Sequence, residues 1–185
     1  MIDLRSAEMP STIEVDGVFY ALNTDFRIWI DWLEKLEGEG IALYSIFADE
    51  VPRGSDWVAA ALEFAESPTP TPKAKVDDNA PRLVDFVLDG DYLTGSFQAA
   101  YGIDLTTCSM HWHRFLALVR CLPESSKMAE IMAYRGWDAA KAKKKPDQAY
   151  KELKRAWALP MRKTPENEAV VKWAEKAFEN IEYPD

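Results

Sequence analysis

Asn23-Thr24-Asp25-Phe26-Arg27-Ile28-Trp29-Ile30-Asp31-Trp32-Leu33-Glu34-Lys35-Leu36-Glu37 is the stretch that decides the fold. Phe26, Trp29, Ile30, Leu33 and Leu36 recur at the three-to-four-residue spacing of one helix face, and Asp31, Glu34, Lys35 and Glu37 fill the other. Asn23, Thr24 and Asp25 are side chains that accept from free helix N–H groups, and Gly38 and Gly40 stop the pattern. Trp32 falls off the stripe, so it is expected to be partly exposed or a partner contact. Just before this helix, Ile13-Glu14-Val15 and Val18-Phe19-Tyr20 flank Asp16-Gly17. Asp-Gly suits the type I′ turn of a two-residue hairpin, with Ile13, Val15, Val18 and Tyr20 able to share a face. A lone ribbon is marginal, so it must lie against a helix.

Further along, 41–48 reads as a short helix and Ser55 as the cap of another running to about Glu66. Ser67-Pro68-Thr69-Pro70-Thr71-Pro72-Lys73 opens an extended, proline-rich linker over 67–82. Beyond it, 83–88 is a short element of undecided type. Tyr92 to Tyr101 is a helix closed by Gly102, and a helix starting at Thr106 or Thr107 carries Phe115, Leu118, Val119 and Leu122. Ser125 to Arg135 is another helix. A basic stretch, 141–163, holds nine basic residues against Asp147 and Glu152, with Tyr150, Leu153 and Trp157 as its apolar stripe. Thr164-Pro165-Glu166 starts a last helix. The expected fold is mainly α: a small helical bundle with a short N-terminal β-hairpin and a C-terminal helical hairpin. Its segments are 1–66, the linker 67–82, a helical core module 83–138 and a basic, aromatic arm 139–185.

Composition narrows the function. The 185 residues hold 22 basic and 31 acidic side chains, a formal net charge of −9, which disfavours nucleic acid and anionic membrane as partners. The first 50 residues alone hold 11 acids against 3 bases. No apolar run approaches the ~18 residues of a membrane span, and the first residues lack the pattern of a secretory leader. Two cysteines, Cys108 and Cys121, make no disulfide framework and read as free thiols in a reducing compartment.

Chemistry-bearing patterns are thin. Cys108, His111, His113 and Cys121 are all the Cys and His of the chain, but on one helix His111 and His113 would point about 200° apart, which argues against one metal site. No Gly-x-Ser-x-Gly elbow and no glycine-rich phosphate loop occurs. Asp85, Asp89 and Asp91 read as solvated turn acids. No catalytic residue, cofactor or metal is therefore expected. Seven tryptophans are many for this length, and Trp32 and Trp112, both off their stripes, are candidate partner contacts. Lys143, Lys144, Lys145, Tyr150 and Trp157 are the other candidates, as an electrostatic and aromatic contact surface.

Two stretches resemble a known family. Val15-Asp16-Gly17 through Asn23-Thr24-Asp25-Phe26-Arg27-Ile28-Trp29 is similar to the opening of the bacteriophage Gp-fifteen family. Tyr101-Gly102-Ile103-Asp104-Leu105, then His111-Trp112-x-x-Phe115-x-x-Leu118, looks like its central signature, continued by Leu122-Pro123-Glu124 and Ile131-Met132-Ala133-Tyr134-Arg135. The resemblance covers about 10–138. It implies a tail assembly chaperone of siphophages, a non-enzymatic morphogenesis factor that binds the tape measure protein while tail tube subunits polymerise around it. The alternative is a structural virion component such as a head–tail connector or tail completion protein. The resemblance further implies tail tube protein as a second partner, self-association, and work in the host bacterial cytoplasm. Its motifs are family markers, not catalytic residues. Asp25 and Asp104 are expected at helix starts, with Arg27 and Arg135 as candidates to pair with those acids.

Overall fold

The computed structural model describes residues 8–36, 43–53, 56–66, 81–137 and 148–160. Two strands, β1 (Thr12–Val15) and β2 (Val18–Ala21), pair antiparallel with Thr12 opposite Ala21, Ile13 opposite Tyr20, Glu14 opposite Phe19 and Val15 opposite Val18. Asp16 (φ 52°) and Gly17 (φ 78°) both take the positive φ that the type I′ turn demands. Ile13 and Val15 are buried, and β1 packs on a helix, α2 (Trp57–Ala65), as a marginal ribbon requires. Val18 shares their face by register, yet α2 packs on β1 and Val18 on β2 is exposed.

Helix α1 (Phe26–Leu36) begins where Asp25 accepts the Arg27 N–H at 3.0 Å through Oδ1. The short helix expected within 41–48 is a 3-10 helix over Leu43–Ile46, and α2 follows. The expected short element over 83–88 is neither helix nor strand but a chain of turns leading into α3 (Gly90–Tyr101). Gly102, at φ 66°, closes α3 in the left-handed region, its N–H bonding to the Gln98 carbonyl. Helix α4 (Trp112–Arg120) starts later than Thr106 or Thr107 predicts. The intervening residues form a turn and then an extended segment that bridges Asp25 through His111. Helix α5 (Lys127–Gly136) is capped by Ser126 Oγ, which accepts from the Ala129 N–H at 3.2 Å, and α6 (Gln148–Ala156) contributes no buried residue. Mainly α with an N-terminal hairpin is the architecture observed. The final helix expected from Thr164 and the proline linker lie outside the described residues.

Contacts divide the chain into two compact units. One takes the described residues among 1–70 and 110–117, the other those among 71–109 and 118–162, so the division interrupts α4 at Ala117. The first unit is packed with aromatic rings: Phe26, Trp29, Trp32, Phe47, Trp57, Phe64, Trp112 and Phe115 are all buried. In the second unit Leu93, Phe97, Met128 and Ile131 are buried, with α3 packed on α5 and α5 on α6.

Two glycines of the second unit make a paired test. A Cβ at Gly95 or at Gly102 would meet nothing within 4 Å, so substitution acts on the backbone alone. Gly95→Ala, inside α3, is expected to stabilise by about 0.5–1 kcal/mol, while Gly102→Ala, at positive φ, is expected to destabilise by about 1 kcal/mol. Denaturant unfolding checks both, and equal signs would refute the conformational argument.

Candidate functional site

The residues singled out from sequence fall into three clusters, each within one unit. The first joins the start of α1 to the start of α4. Backbone N–H groups are exchanged between the two segments: Trp112 donates to the Thr24 carbonyl at 2.7 Å and Phe26 to the Met110 carbonyl at 2.9 Å. Asn23 takes part twice, donating its own N–H to the Ile46 carbonyl at 2.7 Å and accepting the Trp29 indole N–H on its carbonyl at 2.8 Å. This lacing brings Phe26 and Phe115 into a stack with centroids 4.7 Å apart, and sets Trp29 against Phe64 at 4.7 Å and Trp112 at 6.4 Å. Arg27 pairs with Asp25, as expected, at a half-exposed 3.5 Å, a separation that contributes little.

Trp32 and Trp112, expected at a partner surface, are interior residues instead. Trp32 is fully buried and packs edge-on to Trp29 at 5.5 Å and against Trp57 at 6.5 Å. The buried stripe of α1 is Phe26, Trp29, Trp32 and Leu36, rotated from the expected one so that Trp32 faces inward while Ile30 and Leu33 are half-buried. Trp112 is buried as well, its indole N–H donating to the Ala65 carbonyl at 2.9 Å. The Trp32 N–H finds no acceptor among the described residues.

The histidines follow the same lacing. Because His111 precedes α4, it does not diverge from His113 as two helical residues would, and their rings lie 5.2 Å apart. His111 Nε2 bonds the Pro10 carbonyl at 2.8 Å and its Nδ1 accepts the His113 backbone N–H at 3.1 Å. His113 Nε2 bonds the Phe64 carbonyl at 2.7 Å, and the ring lies 4.4 Å from that of Phe64. A carbonyl at Nε2 requires the proton there, so both rings are held as neutral Nε2–H tautomers. Burial pushes both below the ordinary histidine value, against the pull of the Pro10 and Phe64 carbonyls, and His111 further depresses His113. No group of three or more His, Cys, Asp or Glu side chains that could hold a metal ion occurs among the described residues. Cys108 and Cys121 are both free thiols.

The second cluster is the Tyr101–Leu105 segment. Tyr101 donates its hydroxyl to the Leu118 carbonyl at 2.9 Å. Asp104 does not start α4: its Oδ1 accepts the Thr106 N–H at 2.8 Å and the Thr106 hydroxyl at 2.6 Å, capping a turn. Those bonds hold its carboxyl below the usual aspartate range.

The third cluster is the one that sequence reasoning missed. Arg135 pairs with Asp89, not with Asp104. Its guanidinium holds both carboxylate oxygens, at 2.6 and 2.9 Å, and also donates to the carbonyls of Leu83 at 2.9 Å and Trp157 at 2.8 Å. Asp85 and Asp89 are therefore not solvated turn acids. Both are buried; Asp89 Oδ2 accepts the Asp85 N–H at 2.9 Å, and Asp85 Oδ1 accepts from Val87 at 3.0 Å and Leu88 at 2.8 Å. Arg82 pairs with Asp85 at 3.0 Å. Only Asp91 of the three is exposed. The spacing of Asp85 and Asp89 ahead of α3 was the available signal, but it is shared by ordinary turns.

Around Arg135 an aromatic cluster seats α6. Trp157 meets Tyr92 edge-on at 5.4 Å with the Lys127 ammonium 5.3 Å from its ring, and Tyr150 meets Tyr134 at 5.7 Å and Trp137 at 5.8 Å. Tyr134 donates to Glu130, an arrangement that raises the phenol and lowers the carboxyl. Of the predicted contact residues, Tyr150 is exposed and Trp157 half-buried, while Lys143, Lys144 and Lys145 lie outside the described residues.

Both motif regions thus spend their side chains on main-chain carbonyls and ring packing. The sequence model of the family described as Bacteriophage Gp15 protein matches residues 6–159. The chain belongs to that family. A search of curated proteins and a search of solved structures each found no match. In this Gp15 family chain no described helix is long and apolar enough to cross a membrane.

Two measurements follow. Arg135→Met strands a buried carboxylate at Asp89 and is expected to cost about 3–5 kcal/mol, while Asp89→Leu combined with Arg135→Met costs far less than the separate changes summed. A denaturant double-mutant cycle checks this, and additivity would refute the pairing. Lowered folded-state histidine values mean that the unfolded chain binds those protons more readily. The stabilisation they carry is complete above about pH 6.5 and is lost as pH falls below it. The melting temperature should therefore drop from about pH 7 to about pH 5, with a smaller drop in His111→Gln/His113→Gln; an unchanged slope would refute it.

Proposed function

We propose that this chain is a non-enzymatic tail morphogenesis factor of a phage or prophage: a tail assembly chaperone that binds the tape measure protein in the host cytoplasm while tail tube subunits assemble. The observation that carries the reading is the family match over 6–159. The use of the motif residues supports it. Asn23, Phe26, Trp29, Trp112 and Phe115 build an interior, and Tyr101, Gly102 and Asp104 shape a helix end and a turn, so what the motifs specify is architecture. Contact surface is available on an otherwise acidic molecule: Phe19, Val87, Leu88 and Tyr150 are exposed. No cofactor, metal or nucleic acid is invoked.

Co-expression tests the reading. A phage tape measure protein co-expressed with the tagged chain should remain soluble and co-purify with it, and mass spectrometry of purified particles should find the chain absent. Stoichiometric recovery of the chain from finished particles would overturn the chaperone role in favour of a structural virion component.

A further inference from the structure

None of the residues of α6 is buried, whereas α5 beneath it buries Met128, Ile131 and Arg135. The contacts of α6 all come from one side. Tyr150 meets Tyr134 and Trp137, Lys154 donates to the Trp137 carbonyl at 2.5 Å, and Trp157 meets Tyr92 and the Lys127 ammonium. Trp157 lies just past α6 but keeps its spacing, its N–H donating to the Leu153 carbonyl at 3.0 Å. Tyr150, half-buried Leu153, Lys154 and Trp157 stand at i, i+3, i+4 and i+7, which on an α-helix span only about 100° of arc. That is the anchor spacing with which a separate amphipathic helix enters a groove.

The face that takes these anchors is built without α6. Lys127 and Tyr134 both bond Glu130 along one side of α5, and Arg135 is fixed by its two bonds to Asp89. On α6 and its end Arg135 spends only the Nε–H, and that on a main-chain carbonyl. With α6 lifted away Arg135 keeps Asp89 and the Leu83 carbonyl and turns its Nε–H to water, so no buried charge is stranded. The face also continues past α6. Leu83 lies against the end of α5, where a Cβ at Gly136 would meet it at 3.2 Å. Leu83, Val87, Leu88 and Tyr92 are four of the eight exposed large apolar side chains among the described residues, and they fall within 83–92. An apolar margin left open beside a seated helix offers room for a larger occupant than α6.

We infer that α6 is a displaceable occupant of a helix-receiving face formed by Tyr92, Lys127, Tyr134, Arg135 and Trp137, and that it gives way there to an amphipathic helix of the tape measure protein. The chemistry of that helix is the chemistry of α6: aromatic, aliphatic and aromatic anchors at i, i+3 and i+7, with Lys at i+4 for the Trp137 carbonyl. A longer helix covers Leu83, Val87 and Leu88 as well. An element that buries no residue opens at less cost than α3 or α5, whose side chains fill the interior. Closed, α6 divides the affinity for the partner by the ratio of closed to open chains, so the aromatic face stays covered until a client helix competes for it. The partner's name rests on the proposed function; the face does not, and it is tested first on the chain alone.

The probe is a labelled synthetic peptide of residues 148–160, titrated into full-length chains and followed by fluorescence anisotropy. Tyr150→Ser/Leu153→Ser/Trp157→Ser loosens α6 without changing a buried residue, and this variant should bind the peptide about tenfold or more tighter than wild type. Adding Tyr134→Ser/Trp137→Ser should abolish the binding, with circular dichroism confirming that each variant is folded. In the wild-type chain the amides of Lys151 to Ala156 should exchange about a hundredfold faster than the best protected amides of α3 and α5. A loosened variant that binds the peptide no better than wild type, or α6 amides as protected as those of α5, would overturn the inference. Co-expression then tests the partner. The loosened variant should retain more tape measure protein than wild type, whereas reduced retention would overturn displacement by showing that α6 is itself the contact. Peptide binding with no tape measure protein retained by either chain would sustain the face and overturn the proposed function.

Discussion

Two main-chain hydrogen bonds, Trp112 to Thr24 and Phe26 to Met110, tie together segments far apart in sequence, and the first unit is organised around them. Neither partner is a side chain, so the tie sets the height and angle at which two helices begin. Once that is fixed, Phe26 meets Phe115, Trp29 meets Trp112, and Phe64 caps the pair with His113 against it. The interior is nearly all aromatic, and its weakness is polar: each buried indole or imidazole N–H needs an acceptor. Carbonyls of Asn23, Ala65, Phe64 and Pro10 meet that need for Trp29, Trp112, His113 and His111, all of them at the ends of elements where a carbonyl is not already spent on a helix or ladder, while the Trp32 N–H goes without among the described residues.

The second unit solves a similar problem with charge. Removing Asp89 and Arg135 from water is costly, and their attraction offsets the cost because both carboxylate oxygens and most guanidinium N–H groups are engaged. In return a stretch with no regular structure, the approach to α3, is tied to α5. Arg135 reaches from the last turn of α5 to the approach of α3 and to the end of α6, joining three elements through one guanidinium.

Local patterns were legible in the sequence, and long-range partners were not. Asp16-Gly17 announced its turn, the Phe26-to-Leu36 stripe its helix and Gly102 the end of α3, because each is decided within a few residues. The burial of Trp32 was missed because Phe26, Trp29, Trp32 and Leu36 also form a helical stripe, and periodicity alone does not say which of two overlapping stripes faces the interior. The start of α4 was misplaced because Thr106 is a plausible cap, while the extended segment that displaces the helix is held by Asp25 and Pro10 from elsewhere in the chain. Arg135 was expected to seek an aspartate and did. Which aspartate is a matter of packing, and Asp104 and Asp89 look alike in one dimension. For the candidate contact surface, sequence identified Tyr150 on α6 and Trp157 just beyond it but did not single out Phe19, although the alternation of the hairpin leaves it on the face away from Ile13 and Val15.

The guanidinium of Arg135 reads carbonyl oxygens at Leu83 and Trp157, not their side chains. A grip on the main chain is indifferent to what the gripped residue carries. The bond to position 83 therefore survives a change of side chain there, whereas Trp157 is also held by its ring against Tyr92 and Lys127, and position 135 admits no substitute with the same reach and the same fork of donors. One anchoring point of the joint is thus open to drift, and descendants of this chain can exchange the side chain displayed there without rebuilding the joint beneath it.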